Sequence, residues 1–129
     1  MRNPTALAFH PQTGELWGVA QERDGLGDHL PSDYLIRVRE GGFYGWPYTY
    51  IGKHPQPGFA NRAPEKVEES IIPDLLFEAH SSVLDLVFYD ADQFPRDYHG
   101  HAFVALKGSW TRSEPTGLKL PFTQHRAGQ

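Results

Sequence analysis

Apolar and polar positions along this chain alternate mostly with a period of two, the spacing of a strand with one face in a core and one in water. The run Tyr34-Leu35-Ile36-Arg37-Val38-Arg39 shows it, and predicts a half-buried strand. Residues 5–9 and 15–20 predict two more strands around the turn His10-Pro11-Gln12-Thr13-Gly14, where Pro11 and Gly14 suit a tight reversal. Residues 83–89 and 101–106 predict a second such pair around the turn at 94–100. Apolar stretches at 71–77 and 117–122 extend the series. The pattern therefore predicts about seven short strands and no helix.

Between the strands lie segments of a different character. Gly41-Gly42-Phe43-Tyr44-Gly45-Trp46-Pro47-Tyr48 turns sharply on its glycines and sets three large rings within four positions. Alone, it predicts an aromatic plug at the end of a small sheet and needs no ligand. Residues 22–33 form a polar loop with two glycines and the acidic Glu22, Asp24, Asp28 and Asp33. Such oxygens suit a hard cation, but the spacing is not that of a calcium-binding helix-loop-helix, and a solvated turn is the simpler expectation. Residues 51–70 predict a long surface loop.

Composition changes this picture little. The 129 residues fit one domain, and 39% hydrophobic with 22% charged residues is a globular balance. Thirteen glycines and eleven prolines, spread along the chain, favour strands and turns over long helices. The net charge of −4, without a basic run, argues against nucleic acid or an anionic membrane as partner. No cysteine is present, so disulfides and thiolate metal sites are excluded. No apolar run reaches the ~20 residues that span a bilayer, and no signal-peptide core follows Met1. Either the product is cytoplasmic or its natural start lies upstream.

Candidate chemistry gathers at strand ends. Seven histidines are scattered, no Ser-His-Asp set or helical metal pair emerges, and most are expected in surface turns. His80 precedes the strand at 83, Lys107 follows the strand at 101–106, and Arg2 and Asn3 precede the first strand. Polar groups at one end of the strands are how an all-β scaffold commonly builds a site.

Four segments in order carry a resemblance: Arg2-Asn3-Pro4-Thr5-Ala6-Leu7-Ala8-Phe9 with His10-Pro11, then Glu22-Arg23-Asp24-Gly25, then Gly41 to Pro47, then Phe103 to Trp110. Together they resemble the soluble sugar dehydrogenases that use pyrroloquinoline quinone (PQQ), the glucose/sorbosone dehydrogenase family, and most closely its sorbosone-dehydrogenase-like branch. The resemblance covers nearly the whole chain. It implies a six-bladed β-propeller, of which residues 1–129 supply two to three blades. The expected fold is thus all-β, a partial β-propeller in one unit.

The resemblance also implies roles. Arg2, Asn3 and Lys107 match positions that contact the quinone, and a guanidinium suits its carboxylates and ortho-dione. Thr5 stands where some members have Gln. Glu22 and Arg23 match two backbone carbonyls, from a Gly-Pro pair, that hold the quinone-bound Ca2+. Tyr44 matches a carbonyl of a second, structural calcium, with Asp33 as a carboxylate neighbour. The His that takes the sugar hydroxyl proton belongs to an earlier blade and has no counterpart here; His80 does not replace it. No catalytic residue is therefore assigned. The implied function is a fragment of a quinone-dependent aldose or sorbosone oxidoreductase, inactive alone and acting on a sugar only in full-length relatives. The alternative is a non-catalytic propeller piece acting in assembly or partner binding. Open propeller edges predict self-association. The family implies a periplasmic location.

Overall fold

The computed structural model describes residues 1–108, Ser113 and residues 122–123. The strands are β1 (Asn3–Phe9), β2 (Leu16–Gln21), β3 (Ser32–Arg37), β4 (Thr49–Tyr50) and β5 (His54–Pro55). After a short helix α1 (Pro64–Glu69) come β6 (Leu75–Ala79), β7 (Val83–Phe88), β8 (Ala102–Leu106) and β9 (Phe122–Thr123). They form an antiparallel sheet in the order β1-β2-β3-β6, a second in the order β7-β8-β9, and the small β4-β5 hairpin.

The two larger sheets pack face to face. Trp17, Val19, Leu35 and Phe77 of the first meet Val83, Leu86, Phe88, Ala102, Val104 and Leu106 of the second, with Ala6 and Ala8 at the margin. Each large aliphatic or aromatic side chain removed from water here stabilises the fold by about 1.5–3 kcal/mol. Only His80-Ser81-Ser82 joins the sheets, and His80 and Ser82 have φ of 60° and 57°. That left-handed pair reverses the chain within three residues, so β7 starts beside β1, where Thr5 Oγ1 donates to the Val83 carbonyl at 2.9 Å. Two antiparallel sheets, stacked and entered in succession, are consecutive blades of a partial β-propeller, as the resemblance predicts, built of the short strands that the pattern predicts.

The structure departs from the sequence reading at two elements. The middle of β3 is buried on both faces, not one: Leu35 joins the inter-sheet core, while Tyr34 and Ile36 form a second cluster with Ala20. Tyr44 and Ile71 cover that second face. The aromatic turn is thus a plug on a sheet face, closed by the Ile71 N–H donating to the Phe43 carbonyl at 2.8 Å. Within it Gly45, at φ 88°, accepts the N–H of both Tyr48 and Thr49. The second departure lies inside the expected 51–70 loop, which holds β5 and α1; α1 is the longer of the two. Pro64 opens it with a preset φ, and Lys66 and Glu69 pair at 2.7 Å. None of its residues is buried, so no apolar period marks it.

Candidate functional site

The start of β1, the ends of β2 and β8 and the start of β7 meet at one rim. Register sets this: Asn3 lies opposite Gln21, and Val83 opposite Leu106. Asn3 Nδ2 donates to Gln21 Oε1 at 3.2 Å. Gln21 Nε2 in turn donates to the Val83 carbonyl at 2.9 Å and to Ser82 Oγ at 3.1 Å. The Lys107 N–H donates to the Ser82 carbonyl at 3.0 Å. Asn3 and Lys107 thereby end one hydrogen-bonded chain that crosses both sheets. Arg2 flanks it, donating Nη1 to the Glu22 carbonyl at 3.1 Å with its guanidinium 5.9 Å from the centre of the Trp46 ring. Arg2, Asn3 and Lys107 are all exposed.

Beneath the rim lie two buried carboxyls. Asp33 accepts the Glu22 N–H on Oδ1 at 2.9 Å and the Val83 N–H on Oδ2 at 3.2 Å, tying the end of β2 to the start of β7. Burial pushes its pKa up, and those backbone N–H groups pull it down. Glu22 is only 6% exposed and its Oε2 has no partner. Desolvation raises its carboxyl to about 7, with the Asp33 charge adding; the Arg23 N–H and the Arg2 charge oppose this. Both carboxyls line a small polar cleft with Gln21, Asp24, His80 and Ser82.

His80 anchors the loop that borders this cleft. Its Nε2 is 2.7 Å from the Gly27 carbonyl, which can only accept, so Nε2 carries a hydrogen. Its Nδ1 is 3.5 Å from Asp24 Oδ1. The imidazole thus fastens the 22–31 loop to the end of β6, a positioning role.

The other residues singled out in the sequence lie apart from one another. Arg23 turns away from the rim, with Nε on the Asp24 carbonyl at 2.9 Å and Nη1 on Gln56 Oε1 at 3.1 Å. The Tyr44 hydroxyl accepts the Arg39 N–H at 2.6 Å, and its carbonyl accepts the Trp46 N–H at 3.2 Å. Asp33 is occupied at the Glu22–Val83 junction, and no hydrogen bond joins it to Tyr44. Among the described residues no three acidic or histidine side chains converge as a metal cage. Two members of the rim were not anticipated, Gln21 and Ser82. Gln21 at a strand end was the readable one; Ser82 depends on a turn conformation with no sequence mark.

The chain matches the family described as Glucose / Sorbosone dehydrogenase over residues 1–110. It is 34% identical over 122 residues to an uncharacterized protein of Borreliella burgdorferi, a match spanning 93% of this chain and 32% of that protein. Its fold superimposes on the soluble aldose sugar dehydrogenase of Escherichia coli in the apo form, with a TM-score of 0.60 at 23% identity over 92% of this chain and 35% of that one. It also superimposes on a calcium structure of a Trichoderma reesei carbohydrate-active enzyme of family AA12, with a TM-score of 0.62 at 22% identity over 88% and 34% of the two chains. The chain thus spans about a third of the length of each of these relatives.

Proposed function

The chain belongs to the glucose/sorbosone dehydrogenase family, and from that premise we propose that its rim is part of the cofactor wall of a PQQ-dependent sugar dehydrogenase. Arg2, Asn3 and Lys107 would hold the quinone. The observation that carries this is the hydrogen-bonded chain from Asn3 through Gln21 and Ser82 to Lys107, with Arg2 beside it. Two exposed cationic side chains and an amide on one rim are complementary to a planar anion bearing carboxylates and an ortho-dione. The Trp46 ring behind Arg2 limits where its guanidinium can go, which favours one approach direction.

The fit to calcium is uneven. The Glu22 carbonyl, a proposed ligand with that of Arg23, already accepts the Arg2 guanidinium. A cation there would be tolerated only with the unpartnered Glu22 carboxyl ionised beside it. Asp33 would have to release a backbone N–H to serve a second calcium with the Tyr44 carbonyl, so that pair is the less prepared. When bound, quinone and calcium together supply a polarised, hydride-accepting carbonyl. This chain's own residues orient and neutralise; no proton acceptor for a sugar hydroxyl is assigned among the described residues, so the chain alone is proposed to bind without turnover. Residues 1–129 act as one unit, and a periplasmic setting follows from the family.

Calorimetric titration with PQQ and calcium tests this reading. The expected result is saturable heat, weakened roughly tenfold by Arg2→Ala or Lys107→Ala, the scale of one charge-assisted hydrogen bond. No heat at high micromolar concentration, or heat unchanged in both variants, would overturn it.

A further inference from the structure

We propose that the rim holds the reduced quinol of the cofactor more tightly than the oxidised quinone, because Gln21 turns the Asn3 amide so that it meets the ligand as an acceptor. The inference deepens the cofactor reading above and rests on it. Its starting point is the Val83 carbonyl, which can only accept. The Gln21 atom 2.9 Å from that carbonyl is therefore the amide nitrogen, and the same nitrogen donates its other hydrogen to Ser82 Oγ at 3.1 Å. Both Gln21 N–H groups are thus used at the start of β7. Gln21 Oε1 is left for Asn3, and an amide oxygen can only accept. The Asn3 atom 3.2 Å from it is accordingly Nδ2. One backbone carbonyl of the second sheet fixes the orientation of two side-chain amides on the first.

Asn3 Oδ1 is then the free branch of that amide, on an exposed residue and without a hydrogen-bond partner among the described residues. A group that meets it needs a hydrogen to donate. Arg2 and Lys107 are the cations of the rim and match the ligand's carboxylates, which leaves the ortho-dione for the neutral amide. In the quinone both dione oxygens are acceptors only, so Oδ1 and a dione oxygen would set lone pair against lone pair. Reduction adds two electrons and two protons and turns both carbonyls into hydroxyls, each a donor. The remaining Asn3 N–H donates to a carbonyl or a hydroxyl oxygen alike, so the difference between the two forms comes from Oδ1. One net hydrogen bond corresponds to a preference for the quinol of about tenfold. For a two-electron couple that factor raises the potential of the bound cofactor by about 30 mV, the direction that favours taking a hydride.

Titration of the 129-residue chain in the presence of calcium tests this, once with PQQ and once, without air, with PQQ reduced by dithionite. The parent is expected to bind the quinol about tenfold more tightly than the quinone. Gln21→Leu unfastens the Asn3 amide, and Asn3→Leu removes the acceptor; each is expected to bring the two affinities together. A merely structural role for Gln21 would weaken both forms by one factor and leave their ratio untouched, and that result overturns the proposal. Should Gln21→Leu lose its fold, Asn3→Leu, at an exposed position, carries the test alone. Equal affinity for the two forms in the parent, or a preference that survives in Asn3→Leu, also overturns it. The cofactor reading then still stands if Arg2→Ala and Lys107→Ala weaken both forms. Binding of neither form overturns both.

Discussion

Glu22 folds with its carboxyl out of water, one oxygen unpartnered and its pKa raised from 4.5 to about 7. Between those two values the unfolded chain has released the proton that the folded chain keeps. The folded state then binds more protons, so stability from this group falls as pH rises through that window. Glu22→Gln keeps the shape and cannot ionise. Its stability relative to the parent should therefore increase by on the order of 2 kcal/mol from pH 5 to pH 8. Urea unfolding at both pH values reads the difference, and a gap independent of pH would contradict the burial argument. Asp33 works differently, as an acceptor for two backbone N–H groups, one just past the end of β2 and one at the start of β7. Asp33→Ala leaves both without their acceptor and should cost about 2–4 kcal/mol, while Asp33→Asn, keeping one carbonyl oxygen, should cost less. Equal losses in the two variants would mean that the clamp is not what Asp33 contributes.

The strands of the two blades were legible because alternation and turn chemistry agree there. Pro11 and Gly14 mark the β1–β2 turn, and β7 and β8 begin within one residue of the positions the pattern predicts. The α1 helix was not legible, being six residues long, opened by Pro64 and without a buried residue, so it carries no periodic signal. The double burial of β3 was not legible either, because its cover comes from Tyr44 and Ile71, outside its own pattern. The site shows the same division. Asn3 and Lys107 could be placed at strand ends from sequence, whereas Gln21 and Ser82 needed the sheets brought together. The aromatic turn gives an element-level test. A Cβ at Gly45 would run into Thr49 Oγ1 and would sit at a φ of 88° that other residues resist. Gly45→Ala should therefore destabilise the chain by about 2–3 kcal/mol. Hydrogen exchange should localise the loss to the Phe43–Ile71 contact and the β3 face under it. A loss spread evenly over both blades would sink the view of this turn as a local plug.

At the scale of the whole molecule, one core between two sheets supports the described fold. Phe88 of the second sheet is buried in that core, its ring edge-on to Trp17 of the first at 6.2 Å. Phe88→Ala removes a large ring from the joint and should cost about 3–5 kcal/mol. Because the joint holds both blades, hydrogen exchange in urea should lose protection in the two sheets together, at a lower denaturant concentration than in the parent. Protection that survives unchanged in one sheet would mean that this blade holds its fold without the other.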